Sequence, residues 1–118
     1  MKTYNVNLYG KPYTVYLVKS TYHYGNRLAV CLYTTDDEPF ATLTVNLPEE
    51  ELTSKDCAFI DTNNCEWLPE FLVENDIAFP TWNFARSGFC VYPEYLFNLE
   101  KLEGGARWIN LYLKLAKK

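Results

Sequence analysis

The sequence predicts an α+β domain, built mainly from one antiparallel sheet of five to six strands with one central helix and a possible C-terminal helix. Three observations lead to this prediction. Apolar and polar residues alternate in several short runs, which is typical of half-buried strands. Aromatic residues make up 17% of the chain and include ten Tyr, a residue that suits a half-exposed pleated surface. One apolar stripe at helical spacing, formed by Trp67, Leu68, Phe71 and Leu72, predicts the helix.

The predicted strands follow one another along the chain. We place them at 4–9, 13–18, 27–34, 40–47, 57–60 and 89–99, with the first four forming an antiparallel meander. The helix begins near Glu66, because Pro69 then falls in its first turn, and it ends by Asn75 and Asp76. Residues 77–88 have no clean period and are interpreted as a structured loop.

Length and composition limit the domain organisation and the setting. At 118 residues the chain is expected to form one domain at 1–103, followed by a C-terminal segment at 104–118 that packs on it and is helical or strand-like. No apolar run is long enough to span a membrane and the N-terminus does not resemble a signal peptide, so we expect a cytoplasmic protein. Four scattered Cys and one His predict reduced thiols, with no metal site and no cofactor.

Four segments together resemble a known family. They are the strand ATLTVNL, the run FIDTNN, the helix WLPEFLVEN and the stretch SGFCVYPEYLFNLEKL. This combination is similar to the small bacterial proteins grouped as the domain of unknown function DUF4313, over about residues 4–102, with the segment after Gly105 outside the match. The resemblance implies a setting on mobile genetic elements. It implies no known reaction, so no catalytic residue carries over.

Two kinds of residue are candidates for a binding surface. Trp82, Phe84 and Arg86 lie in the predicted loop, where large apolar side chains are costly to leave without a partner. Two acidic clusters could present phosphate-like charge to a partner: the acidic turn (Asp36, Asp37 and Glu38) and the acidic segment (Glu49, Glu50 and Glu51). Solvated loops explain the same acidic clusters without a partner. Tyr92, Tyr95 and Trp108 are further candidates for an aromatic patch, although a place in the core or on a Tyr-rich sheet face accounts for most of these residues.

Evidence for catalysis is weak in this sequence. His23 lies in a polar loop without a motif around it, and Cys65 near a helix N-terminus is the one thiol whose position could lower its pKa. Asp61, Thr62, Asn63 and Asn64 could hold a cation, but turn and capping roles explain them as well. We therefore expect no enzyme activity.

The function favoured by these observations is a non-catalytic, protein-binding module of a mobile genetic element. The sharper hypothesis is an inhibitor of a host nucleic-acid-directed defence complex, such as a CRISPR effector nuclease, acting as a monomer or homodimer. The net charge of −4 disfavours direct nucleic-acid binding. The alternative is a nucleic-acid-associated accessory factor that uses Lys114, Lys117 and Lys118, and a small hydrolase or transferase built on Cys65 or His23 is less favoured.

Overall fold

Strands dominate the computed structural model, which describes residues 2–103. They form two four-stranded antiparallel sheets, ordered β1-β2-β3-β4 and β5-β6-β8-β7. The bounds are β1 Tyr4–Leu8, β2 Lys11–Thr21, β3 Leu28–Thr34, β4 Pro39–Thr42, β5 Thr44–Val45, β6 Cys57–Ile60, β7 Ala78–Ser87 and β8 Cys90–Phe97. The predicted antiparallel character and the meander of the first four strands are confirmed. The expectation of one sheet with five to six strands is wrong.

The turn between β1 and β2 sets the register of the first hairpin. Tyr9 and Gly10 both adopt positive φ, at 52° and 78°, which makes the connection a two-residue turn with Leu8 opposite Lys11. Pro12 faces Asn7 in the part of β2 that extends past β3, so its missing N–H removes no bond from the sheet.

The predicted strand at 40–47 is divided between the two sheets. β4 pairs with β3, β5 pairs with β6, and Leu43 lies fully buried between them. The Leu43 N–H donates to the Val30 carbonyl at 2.9 Å, and the Leu43 carbonyl accepts from the Asp61 N–H at 2.9 Å. We call residues 42–45 the seam, because this short stretch joins the two sheets through main-chain bonds.

One helix, α1 (Leu68–Glu74), packs its predicted apolar face into the core. Leu68, Phe71 and Leu72 are buried, together with inward residues of both sheets. Pro69 lies in the first turn as predicted, but the helix begins at Leu68 rather than near Glu66. No side chain caps its N-terminus. In the turn before the helix, the Asp61 carboxylate accepts hydrogen bonds from the main-chain N–H of Asn64 at 3.3 Å and from its side-chain amide at 2.8 Å.

Most of residues 77–88, predicted as a loop, form the strand β7. β7 pairs with β8 at both ends, and the register shifts between Pro80 and Phe84, which marks a β-bulge. The register shift interrupts the alternation, and the face that carries Phe84 and Arg86 is exposed although Phe84 is apolar, so the sequence lacks the pattern by which a strand is recognised. At the end of the described chain, Glu103 pairs with Val18 of β2 in parallel, and the predicted C-terminal helix at 104–118 lies outside the described residues.

Candidate functional site

The β7–β8 hairpin projects beyond the rest of its sheet. β6 accompanies β8 only along Glu94, Tyr95 and Leu96, so the opposite end of the hairpin has no third strand in the described part of the chain. Gly88, at φ 61°, occupies the first position of the two-residue turn that closes it. We call residues 82–93 the hairpin end.

Large apolar side chains are exposed on this hairpin. Trp82 is 76% exposed, Phe84 61% and Phe89 fully exposed at the turn. Phe79, Val91 and Leu96 are each exposed by more than two fifths. Aromatic side chains grouped on a projecting element are the usual anchors of protein–protein contacts, because they fill pockets at low entropic cost. The hairpin end therefore has the composition of a binding surface.

The pairing of the strands sets which hairpin residues share a face. Phe84 lies opposite Pro93 and Arg86 lies opposite Val91, and alternation along each strand puts all four on one face. Arg86 is exposed. Phe84 and Arg86, predicted together as loop residues, are thus neighbours on one strand face.

Trp82 lies in the bulge with an unusual main-chain conformation. Its φ is 71°, in the left-handed region that a bulky residue seldom adopts. Bulges of this kind redirect a side chain out of the strand alternation. The conformation accounts for the outward position of the indole.

The acidic segment lies next to the hairpin end. An open cleft of about 480 Å³ separates the two. The residues that line this cleft are Glu49, Glu50, Glu51, Leu52, Thr53, Phe59, Asn83 and Phe84. The structure therefore brings one predicted acidic cluster and one predicted aromatic residue to the same site.

The acidic turn lies elsewhere. Asp36, Asp37 and Glu38 connect β3 to β4 in the first sheet, and Asp37 accepts a hydrogen bond from the Tyr16 hydroxyl. The two acidic clusters therefore belong to different sheets. Tyr95, a predicted patch residue, is instead buried in the core, Tyr92 is half-buried and Trp108 lies outside the described residues.

Sequence reasoning missed Phe89 at the turn of the hairpin, and it also missed Glu94. Glu94 lies on β8 opposite Phe59 and is 1% exposed. Its carboxylate accepts from the Thr53 N–H at 2.7 Å, the Thr53 hydroxyl at 2.6 Å, the Thr81 hydroxyl at 2.5 Å and the Asn83 amide at 3.3 Å. A lone charge in the otherwise apolar run CVYPEYLF was the available signal.

These hydrogen bonds determine the protonation of Glu94. Burial raises its pKa, but the bonds from Thr53, Thr81 and Asn83 stabilise the carboxylate and together hold the pKa below the ordinary value. All of these donors are neutral. Glu94 is therefore an ionised carboxylate that is satisfied by hydrogen bonds.

The residues considered for chemistry do not come together. His23 is exposed in the loop after β2, and Cys65 is half-buried before α1. Burial and the nearby Asp61 carboxylate raise the pKa of the Cys65 thiol, which is opposite to the lowering that a helix N-terminus could give. The four cysteines are free thiols, and no cluster of His, Cys, Asp and Glu within residues 2–103 is arranged to hold a metal ion.

Fold and site together define a small, two-sheet α+β domain that presents an aromatic hairpin beside an acidic segment. The chain belongs to the family described as a domain of unknown function (DUF4313), whose model matches residues 16–112. The match begins within β2 and extends past Gly105. The family model therefore includes part of the segment after Gly105, which was expected to lie outside the match. Comparisons with curated proteins and with solved structures give no match. Within the described residues, no helix is both long enough and apolar enough to cross a membrane.

Proposed function

We propose that this protein is a non-catalytic binding module that contacts a protein partner through the hairpin end and the adjoining acidic segment. One observation carries the proposal: Trp82, Phe84 and Phe89 are exposed together on one projecting hairpin. Exposed apolar side chains grouped in this way are unfavourable in water and are typical of interaction surfaces.

The charge distribution suggests the chemistry of the partner. Residues 1–103 contain all fifteen Asp and Glu residues but seven of the eleven Lys and Arg residues, which gives this part a formal charge of −8. The acidic segment adds three carboxylates beside Phe84. A partner surface with an apolar pocket and a basic rim would complement both features.

Inhibition of a nucleic-acid-directed defence complex on behalf of a mobile element is the narrower hypothesis. Charge mimicry by six carboxylates has less support, because the acidic clusters lie on different sheets and Asp37 is engaged by Tyr16. The hypothesis depends mainly on the acidic segment. Replacing Glu49, Glu50 and Glu51 by Gln is expected to weaken binding and to reduce its sensitivity to salt.

The direct test is affinity capture from a lysate of the native host, with and without nuclease treatment. A nuclease-resistant protein partner should be captured by the wild-type chain and lost with the double variant Trp82→Ala, Phe84→Ala. The matched control is Tyr9→Ala, which removes an exposed aromatic side chain from the turn between β1 and β2, in the other sheet. Equal capture by the double variant and the wild type would overturn the proposed surface. Light scattering of the complex would show whether the module acts as a monomer or a homodimer.

A second function is favoured by the opposite charge of the C-terminal segment. Residues 104–118 contain four Lys and Arg and no Asp or Glu. An accessory factor that binds nucleic acid could use these charges with nearby aromatic residues. Loss of nucleic-acid binding on truncation after Gly104, together with nuclease-sensitive capture, would favour this function over the first.

A further inference from the structure

The carboxylate of Glu94 joins two segments that are distant in sequence. Thr53, which follows the acidic segment, donates both its main-chain N–H and its hydroxyl to Glu94. Thr81 and Asn83, which flank Trp82 in the bulge, donate their side chains to the same carboxylate. The side-chain amide of Asn83 also donates to the Thr53 hydroxyl at 3.0 Å, and this bond links the two segments directly.

The arrangement holds Trp82 from both sides. The side chains of Thr81 and Asn83 each donate a hydrogen bond to Glu94. The main-chain N–H of Asn83 also donates to the Thr81 hydroxyl at 3.3 Å. Trp82 itself has positive φ and an exposed side chain, so packing of the indole does little to fix the bulge. Because charge-assisted hydrogen bonds are stronger than neutral ones, the Glu94 carboxylate is the main support of this conformation.

We propose that Glu94 is a positioning residue, which holds the acidic segment and the Trp82 bulge in one fixed arrangement so that a change in either is transmitted to the other. The functional meaning of this role rests on the proposed binding surface. The experiments that test the role of Glu94 use the free protein, so their outcome does not depend on whether a partner binds the proposed surface.

The first experiment is native-state amide hydrogen exchange of the full chain, in the wild type and in Thr81→Val. If Glu94 couples the segments, removing the Thr81 hydroxyl should speed exchange of the Thr53 main-chain amide by about tenfold, although that amide donates to Glu94 and not to Thr81. Exchange of core amides such as Leu32 should stay unchanged. The control Thr21→Val removes an exposed strand hydroxyl at the end of β2 and should leave Thr53 unaffected.

The second experiment changes Thr53 or Glu94 and measures the effect on Trp82. Trp67 and Trp108 are replaced by Phe, so that acrylamide quenching reports on Trp82. Thr53→Val and Glu94→Gln should each change the quenching constant of Trp82, whereas Thr21→Val should not. If Glu94→Gln does not fold, the results for Thr81→Val and Thr53→Val decide between coupling and independence of the two segments.

Two results would overturn the proposal. One is an unchanged Thr53 amide in Thr81→Val together with unchanged Trp82 quenching in Thr53→Val, which would mean that the segments respond separately. The other is equal acceleration of the Thr53 and Leu32 amides, which would mean that the threonine acts through global stability alone.

Discussion

Thr44 lies at the seam, and replacing it by Val should reduce the free energy of unfolding by about 1–3 kcal/mol. Its side chain is 4% exposed and its hydroxyl accepts from the Val30 N–H at 3.2 Å and bonds the Tyr22 hydroxyl at 2.8 Å. Val has nearly the same shape, so the loss comes from leaving the buried Val30 amide without this acceptor. Tyr22 keeps its second bond, to the Thr44 carbonyl at 2.9 Å, which limits the loss on that side.

Urea unfolding followed by circular dichroism measures this effect. The control is Thr42→Val on the neighbouring strand, since Thr42 is exposed and its hydroxyl meets only the weak thiol donor of Cys31 at 3.9 Å; a change below about 0.5 kcal/mol is expected there. Tyr22→Phe should cost about 1 kcal/mol, and the double variant less than the two losses combined. A Thr44→Val protein as stable as Thr42→Val would refute the view that the seam depends on this hydroxyl.

Three further predictions follow from burial and protonation. The pKa of Glu94 is lower in the folded chain than in the unfolded chain. The ionised carboxylate therefore stabilises the fold fully above the ordinary glutamate pKa of about 4.3, and this stabilisation is lost as the pH falls through the folded pKa. Acid titrations of stability should show this loss in the wild type and a flatter curve in Glu94→Gln. The Cys65 thiol should react with a disulfide reagent more slowly than free cysteine near neutral pH, and Asp61→Asn should speed the reaction because it removes the charge that helps raise the thiol pKa; an unchanged rate would contradict this cause. Leu72→Ala should cost about 2–5 kcal/mol in urea unfolding, because the side chain is fully buried between helix and sheets, whereas Val73→Ala on the exposed face should cost far less.

Local patterns were sufficient for the meander and the helix. The alternation in β1 to β3 and the stripe of α1 follow from which face each element buries, and that information is contained in a few neighbouring residues. The exposed Trp82, Phe84 and Arg86 were also identified from the sequence, although as a loop. The sequence did not show that they lie on a paired strand, because the bulge shifts the register and apolar side chains lie on an exposed face, which removes the usual alternation.

Sequence patterns were sufficient to predict the α+β class, the family resemblance and a set of candidate contact residues. Tertiary structure alone decided that residues 40–47 serve two sheets, because a change of pairing partner at Leu43 leaves the alternation of the strand largely intact. It also decided that Thr53, Thr81, Asn83 and Glu94 meet. Such a cluster depends on strand pairing and loop placement over up to 41 positions along the chain, and no short-range preference of the residues involved specifies it.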